Sequence, residues 1–440
     1  MKRSFQHLLA APLFLALLAA CGSSNTQNEV ATIATITVSN PLAFDRVDEI
    51  VSINLAKAMP KASITTRDSI VILDSLGNQV PYQRDFHHAR SIIFPATVAA
   101  GSQTVYRLVK GAPIKAHPVV AGRQYPERVD DFAWENEYSA YRCYGPALQA
   151  SGERAYGFDV WVKNTPELVV EDRYTTEHNA KPEIQRLRNE GKTDEAEALE
   201  RQTSYHYDHG KGLDCYKVGA TLGGGTPGLY KDGQLIYPYC YTTYEVLEDG
   251  PLRMIVRFDF EEKLLNGKPY TERRFISFEK GSRMNTCVVY YDGLQGKKKS
   301  QGYQVASGLV VHSENTDYVL NPERHYIAYA DPTDPSQGGV EANGSIFVGI
   351  VAPQLTDAIF LPWGPKEDPA DMKARGGADG HILALQTLPE SPSSNNPSTP
   401  IIYYFGSAWS KADMPDMASW ERYLDEFAQK VENPLQVTIE

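Results

Sequence analysis

Alternation with a period of two constrains this chain more than any other feature. In residues 252–260, Leu252, Met254, Val256, Phe258 and Phe260 fall on one side of an extended segment. Arg253, Arg257 and Asp259 fall on the other, with Ile255 the one apolar exception. This is the pattern of a strand with one face on a core and one on water or a groove. Comparable runs, rich in Val, Ile, Tyr and Phe and bounded by Gly, Pro, Asn or Asp, recur from 31–38 to 435–439. They outnumber the roughly ten strands that one open sheet holds, so paired sheets are expected. The chain reads as all-β: an N-terminal small β-sandwich over 31–112, then a large two-sheet β-supersandwich over 113–440. A Pro- and Gly-bearing stretch at 111–126 marks the boundary, and no repeat of fixed period points to a propeller.

Helical periodicity is scarce. Residues 181–203 are crowded with charge, broken by Gly191 and restarted by Thr193-Asp194-Glu195, which reads as a helical hairpin inserted between strands. Residues 419–431 place Trp420, Tyr423, Leu424, Phe427 and Val431 on one helical face, which should dock on a sheet. Residues 391–399 are a Ser/Pro/Asn loop.

The first twenty residues read as an export signal. Lys2 and Arg3 precede an apolar run that ends in Leu18-Ala19-Ala20-Cys21, too short for a permanent span. Cleavage before Cys21 would expose a cysteine for acylation, with 21–30 as a tether. The expected location is a lipid anchor in the cell envelope facing the periplasm, with the membrane touched through that anchor alone.

The formal charge is −12, and the one basic block is Lys297-Lys298-Lys299. Nucleic acid is therefore not an expected partner, whereas an acidic sugar can still meet a locally positive pocket. Four cysteines follow Cys21: Cys143, Cys215, Cys240 and Cys287. All lie in aromatic strand-like runs without CxxC spacing, so buried thiols or a single bridge are expected, and no zinc site. Gly223-Gly224-Gly225 lacks the Lys-Ser/Thr of a phosphate loop and reads as a tight turn or a close backbone approach. A Gly-x-Ser-x-Gly elbow is missing, which disfavours a serine esterase. Neither metal nor cofactor is expected.

The chemistry-bearing stretch is 130–219. It holds Asp130-Asp131-Phe132-Ala133-Trp134-Glu135-Asn136, Tyr141-Arg142-Cys143-Tyr144-Gly145-Pro146 and Asp159-Val160-Trp161. Tyr205-His206-Tyr207-Asp208-His209-Gly210 and Gly212-Leu213-Asp214-Cys215-Tyr216 follow. These phrases resemble a secreted family, domain of unknown function 4861, over nearly all the mature chain. The resemblance implies a polysaccharide-utilisation setting and transfers no catalytic residue. A broader likeness, to galactose-mutarotase-like proteins and polysaccharide lyases, implies the supersandwich fold.

The residues themselves point the same way. Trp134, Trp161 and Tyr239 offer flat faces for a pyranose, and Asn136, Arg142, Asp208 and Asp214 offer partners for its hydroxyl and carboxyl groups. Tyr237, Tyr239 and Tyr241 alternate, forming an aromatic platform or filling a core. Glu135 is either an acid–base carboxylate of glycoside chemistry or the structural partner of Arg142. His206 and His209 flank Tyr207 in a chain of ten histidines. Uronate β-elimination needs a cation or amide on the carboxylate, a base for the C5 proton and an acid for the leaving oxygen. Arg142 or Asn136, His209 or His206, and Tyr207 or Tyr216 are the respective candidates. The expectation is an envelope carbohydrate-active enzyme acting on uronic-acid-containing oligosaccharides, with β-elimination ahead of hydrolysis. A non-catalytic glycan-binding lipoprotein and a structural envelope protein are the alternatives.

Overall fold

A computed structural model describes residues 31–58, 70–294, 302–313, 317–363, 373–389 and 399–440. The export signal, Cys21, the tether, Lys297–Lys299 and nearly all of the 391–399 loop lie outside the described residues. The fold is all-β, as the alternation predicts, with antiparallel sheets and few helices.

The first unit pairs a five-stranded sheet with a three-stranded one. The larger runs Gln436–Ile439, Thr32–Ser39, Gln103–Lys110, Ile70–Leu73, Gln79–Val80; the smaller runs Arg46–Asn54, Ser91–Val98, Gln83–Arg84. Ala34, Ile36 and Val38 point inward from alternate positions and meet Ile53, Ile72, Phe94 and Leu108. The edge strand Gln436–Ile439 comes from the far end of the chain and pairs with Thr32–Ser39, Ile36 opposite Ile439. The first sandwich therefore draws on both ends of the described chain.

The second unit is a larger sandwich. One layer is a nine-stranded sheet that includes Arg253–Asp259, Lys268–Glu279, Met284–Asp292, Ile401–Trp409, Ile346–Val351 and Tyr326–Asp331. A five-stranded sheet faces it, in the order Gln234–Ile236, Gly224–Lys231, Gln304–Val311, Gly380–Thr387, Asp357–Pro362. A four-stranded sheet of Ala121–Tyr125, Asp131–Glu135, Ser139–Cys143 and Asp159–Val162 is tied to the latter by a parallel bridge between Phe158 and Gly223. Gly223 is required there: its φ is +56°, and a Cβ would stand 2.3 Å from the Phe158 carbonyl oxygen. Val256, Ile276, Val289, Phe405 and Ile350 fill the space between the layers with Leu229, Leu309 and Ile382.

The helix Met417–Glu432 docks on the outer face of the nine-stranded sheet through Trp420, Leu424 and Ala428, as the periodicity predicts, and Asp416 caps it by accepting from the Ser419 N–H. The inserted hairpin is also present, but its first helix runs Val170–Asn189 and passes through Pro182, so it starts well before 181; the second is Thr193–Thr203. Among the described residues no helix is long and apolar enough to cross a membrane.

Two runs of strand-like composition do not form single strands. Residues 213–218 make only an isolated bridge, Asp214 to Trp161, with Gly210, Gly212 and Gly219 at positive φ around them. Residues 235–248 split into Gln234–Ile236 and Thr243–Asp249, because Pro238 offers no N–H to a ladder. All four cysteines in the described chain are buried free thiols, which removes the single-bridge alternative.

Candidate functional site

The register of three neighbouring strands decides what the 130–219 stretch does. Tyr141 lies opposite Trp134 and Val160; Arg142 lies opposite Ala133 and Asp159. Phe132, Trp134, Tyr141 and Val160 thus enter the main core, while Asp131, Glu135, Arg142, Asp159 and Trp161 share the other face. That face is not open, because Tyr125, Val170, Tyr174 and Tyr205 pack over it.

Several expected ligand groups are consequently structural. Trp134 is fully buried, stacks on Tyr141 and donates its indole N–H to Asn285 Oδ1 at 2.7 Å. Trp161 is buried, lies parallel to the Tyr205 ring at 4.6 Å and donates to Asp159 Oδ2. Asn136 is buried; its amide donates to the carbonyls of Glu279 and Ser282, and its oxygen accepts from the Tyr138 N–H. None presents a surface to a sugar. Glu135 is the partner of Lys163, at 2.7 Å, and not of Arg142. It also accepts from the backbone N–H groups of Val169 and Val170, capping the first hairpin helix with a carboxylate where the helix dipole favours one.

Arg142 is buried among carboxylates, 2.5 Å from Asp159, 3.3 Å from Asp214 and 3.6 Å from Asp131, with its guanidinium over the Tyr144 ring. Burial, only partly offset by Arg142, pushes Asp131 up to about 7, and burial with the neighbouring Asp159 raises Asp214 likewise. His206 sits at the rim of this network. Its Nδ1 is 3.1 Å from the Asp214 carbonyl and 3.2 Å from Gln337 Nε2, and its ring lines a cleft of about 550 Å³ against the hairpin.

The rest of the His-Tyr-Asp-His segment disperses. His209 turns its Nε2 back to the Ser204 carbonyl at 2.9 Å. Tyr207 is exposed, and Asp208 accepts from the N–H groups of Gly210 and Gly212 in a local turn. Arg142, Asp214 and His206 are therefore brought together, while Glu135, Asn136, Tyr207 and His209 do not join them. Among the described residues no three His, Cys, Asp or Glu side chains are placed to hold a metal ion.

Tyr216 leads to a different constellation. Its hydroxyl is buried without a hydrogen-bond partner among the described residues, and its ring meets His312 edge-on at 5.9 Å. His312 follows the last residue of Gln304–Val311, and Asp331 is the last residue of Tyr326–Asp331, so the two facing sheets deliver them to one place. His312 Nδ1 lies 2.5 Å from Asp331 Oδ2. Asp331 is itself buried and fixed by the Thr333 N–H, while the Tyr329 hydroxyl accepts from the backbone N–H groups of His312 and Ser313.

Burial disfavours charge on the His312 ring, but the Asp331 carboxylate outweighs it and holds His312 above its ordinary value. Its other nitrogen, Nε2, closes no hydrogen bond among the described residues, although the Lys217 backbone lies near enough to favour a proton there. Burial keeps the Tyr216 hydroxyl protonated, well above the usual phenol range. Lys217, half exposed, reaches Asp334 at 3.5 Å. Its aliphatic chain packs beside Gly376, next to the buried Arg375, whose guanidinium covers the Trp363 ring at 4.8 Å. Buried His381, pushed down to about 3 by burial and by His312, accepts from the Leu222 N–H and is a neutral wall.

Sequence reasoning passed over His312, Asp331 and Arg375. The dyad has no local motif, since its members lie on different sheets. The available signal was positional: each ends a nearly all-apolar strand, Gln304–Val311 or Tyr326–Asp331.

Comparison with known proteins gives a family match and distant relatives. The family model described as "Domain of unknown function (DUF4861)" matches residues 38–437. An uncharacterized protein P7 from Formosa agariphila is 24% identical over 441 residues, covering 96% of each chain. Among solved structures, an alpha-mannosidase from Enterococcus faecalis V583 aligns with a TM-score of 0.48 at 7% identity, over 92% of this chain and 46% of that one. A protein in the glycosyl hydrolase family 38 from Enterococcus faecalis aligns at 0.47 and 8%, over 92% and 47%. The chain thus spans about half the length of these two structures.

Proposed function

The chain belongs to the DUF4861 family, and we propose that it is a carbohydrate-active enzyme that cleaves uronic-acid-containing oligosaccharides by β-elimination at His312. The observation that carries this reading is the placing of a carboxylate-held imidazole edge-on to Tyr216, whose hydroxyl closes no hydrogen bond among the described residues. Neutral His312 keeps its Nδ1 proton on Asp331 and takes the C5 proton at Nε2. The C5–H electron pair forms the C4–C5 double bond as the C4–O bond breaks, and Tyr216 protonates the leaving oxygen. Lys217 and Arg375 supply the positive field that stabilises charge developing on the C6 carboxylate. The Asp331-raised base then works best on the alkaline side of an ordinary histidine. Attachment to the envelope through a lipid on Cys21 completes the proposal, with substrate met outside the cytoplasm.

The test is a screen of the protein from Asn28 onward against uronate oligosaccharides, following the ultraviolet absorbance of a C4–C5 double bond. New reducing ends without that absorbance would establish hydrolysis instead. Binding with neither signal would make the protein a glycan-binding lipoprotein.

A further inference from the structure

Beside the dyad, aromatic rings continue outward in an unbroken series. His381 is paired in register with Val310, two residues before His312. Its ring lies 5.2 Å from that of Trp363, which stacks on Tyr237 at 6.0 Å and an interplanar angle of 22°. Tyr237 meets Tyr156 at 6.0 Å, and Tyr156 meets Tyr239 at 5.7 Å. Exposure rises along the series: His381 is buried, Trp363, Tyr237 and Tyr156 are half-buried, and Tyr239 is 47% exposed. A core-filling role accounts for the inner end and not for the outer one, where a large ring stands in water.

A cation accompanies the exposed end. Lys263 holds its ammonium 4.3 Å from the Tyr239 ring centroid and donates to the Tyr237 carbonyl at 3.4 Å, with no carboxylate within ion-pair distance among the described residues. In a chain with a net charge of −12, a lysine without a carboxylate partner over an exposed aromatic ring is a pre-placed contact for an anionic group.

We propose that this strip is an extended binding track for further residues of an acidic glycan chain, running from Tyr239 and Lys263 at the surface to Trp363 beside the dyad. This rests on the carbohydrate reading above and deepens it: the substrate is a polymer or long oligomer, not a disaccharide. The rings stack on apolar sugar faces, and Lys263 takes a uronate carboxylate.

The experiment measures binding of oligogalacturonates and oligoalginates, from disaccharide to hexasaccharide, to the protein from Asn28 onward carrying His312→Ala, which holds substrate without turnover. Affinity should rise with chain length, and Tyr239→Ala should remove about 3- to 10-fold of that gain for the hexasaccharide while leaving the disaccharide unchanged. Lys263→Ala should lower hexasaccharide affinity and its salt dependence. Tyr239 is exposed, so its loss leaves the melting temperature in place and a null result is not a folding failure. A chain-length gain that survives both substitutions, or no gain at all, overturns the track even if the dyad is catalytic. Strip-dependent binding by a wild type that never eliminates overturns only the chemistry. Binding to no acidic oligomer overturns both.

Discussion

Replacing Arg142 by alanine asks whether the densest charge cluster in the molecule is architecture. The substitution removes the guanidinium that Asp131, Asp159 and Asp214 share, all almost fully buried. Removing one partner of a buried pair costs about 3–5 kcal/mol. Three carboxylates do not triple this, because Asp131, held near 7, and the likewise raised Asp214 can take protons rather than stand charged. The loss falls chiefly on Asp159, 2.5 Å from the guanidinium. The sign with pH follows from the raised carboxyls. Their folded values lie above the unfolded value of 3.8, so their contribution to stability is full below that value and is lost as pH rises through about 7. Without Arg142, which holds both down, Asp131 and Asp214 shift further upward. The variant's deficit should therefore be about 3–5 kcal/mol near pH 8 and clearly smaller near pH 5. Urea unfolding of both proteins at the two pH values, analysed for midpoint and slope, measures it. A deficit below about 1 kcal/mol near pH 8, or equal deficits at both pH values, would refute the structural assignment. Loss of acidic-sugar binding without loss of stability would return Arg142 to the site.

His312→Ala should lower turnover of the folded protein by about two to four orders of magnitude, and should also lower the melting temperature, because it leaves the buried Asp331 carboxylate without its partner. Asp331→Asn should move the alkaline-rising limb of the pH–rate profile to lower pH, because the carboxylate that raises His312 is gone; an unmoved limb rules His312 out as the base. Glu135→Gln should cost about 1.5–3 kcal/mol and speed amide exchange at Val169 and Val170, and undiminished protection there would show that Glu135 is not the cap. Cys21→Ser should release the protein from the membrane fraction or leave it uncleaved, and a wild type that fractionates as a free protein excludes the anchor.

What the sequence makes legible is local. Alternation in 252–260 emerges as the strand Arg253–Asp259, and the apolar face of 419–431 as a helix seated on Trp420 and Leu424. The supersandwich follows from the number of such strands. Side-chain partnerships across the sheet are not local. Trp134 and Trp161 are both tryptophans in strand-like runs, yet strand register sends one to the main core and the other beneath the hairpin. Arg142 meets Asp159 only because Tyr141 aligns with Val160. Pro182 reads as a helix start, but the hairpin's packing through Tyr174 and Ile184 carries the helix across it. His206 and His209 draw notice because they are neighbours in the chain, whereas His312 and Asp331 become neighbours only when two sheets close.

The strand that completes the first sandwich has a consequence for how the protein is made. Thr32–Ser39 emerges early, but its edge stays uncovered until Gln436–Ile439 arrives from the other end of the described chain. In a chain threaded outward amino end first, that edge would remain a template for foreign strands throughout passage. Late arrival then makes closure of the smaller sandwich a checkpoint on assembly of the larger one. Molecules cut short at the carboxyl end should clump as they are made rather than linger as partly working protein.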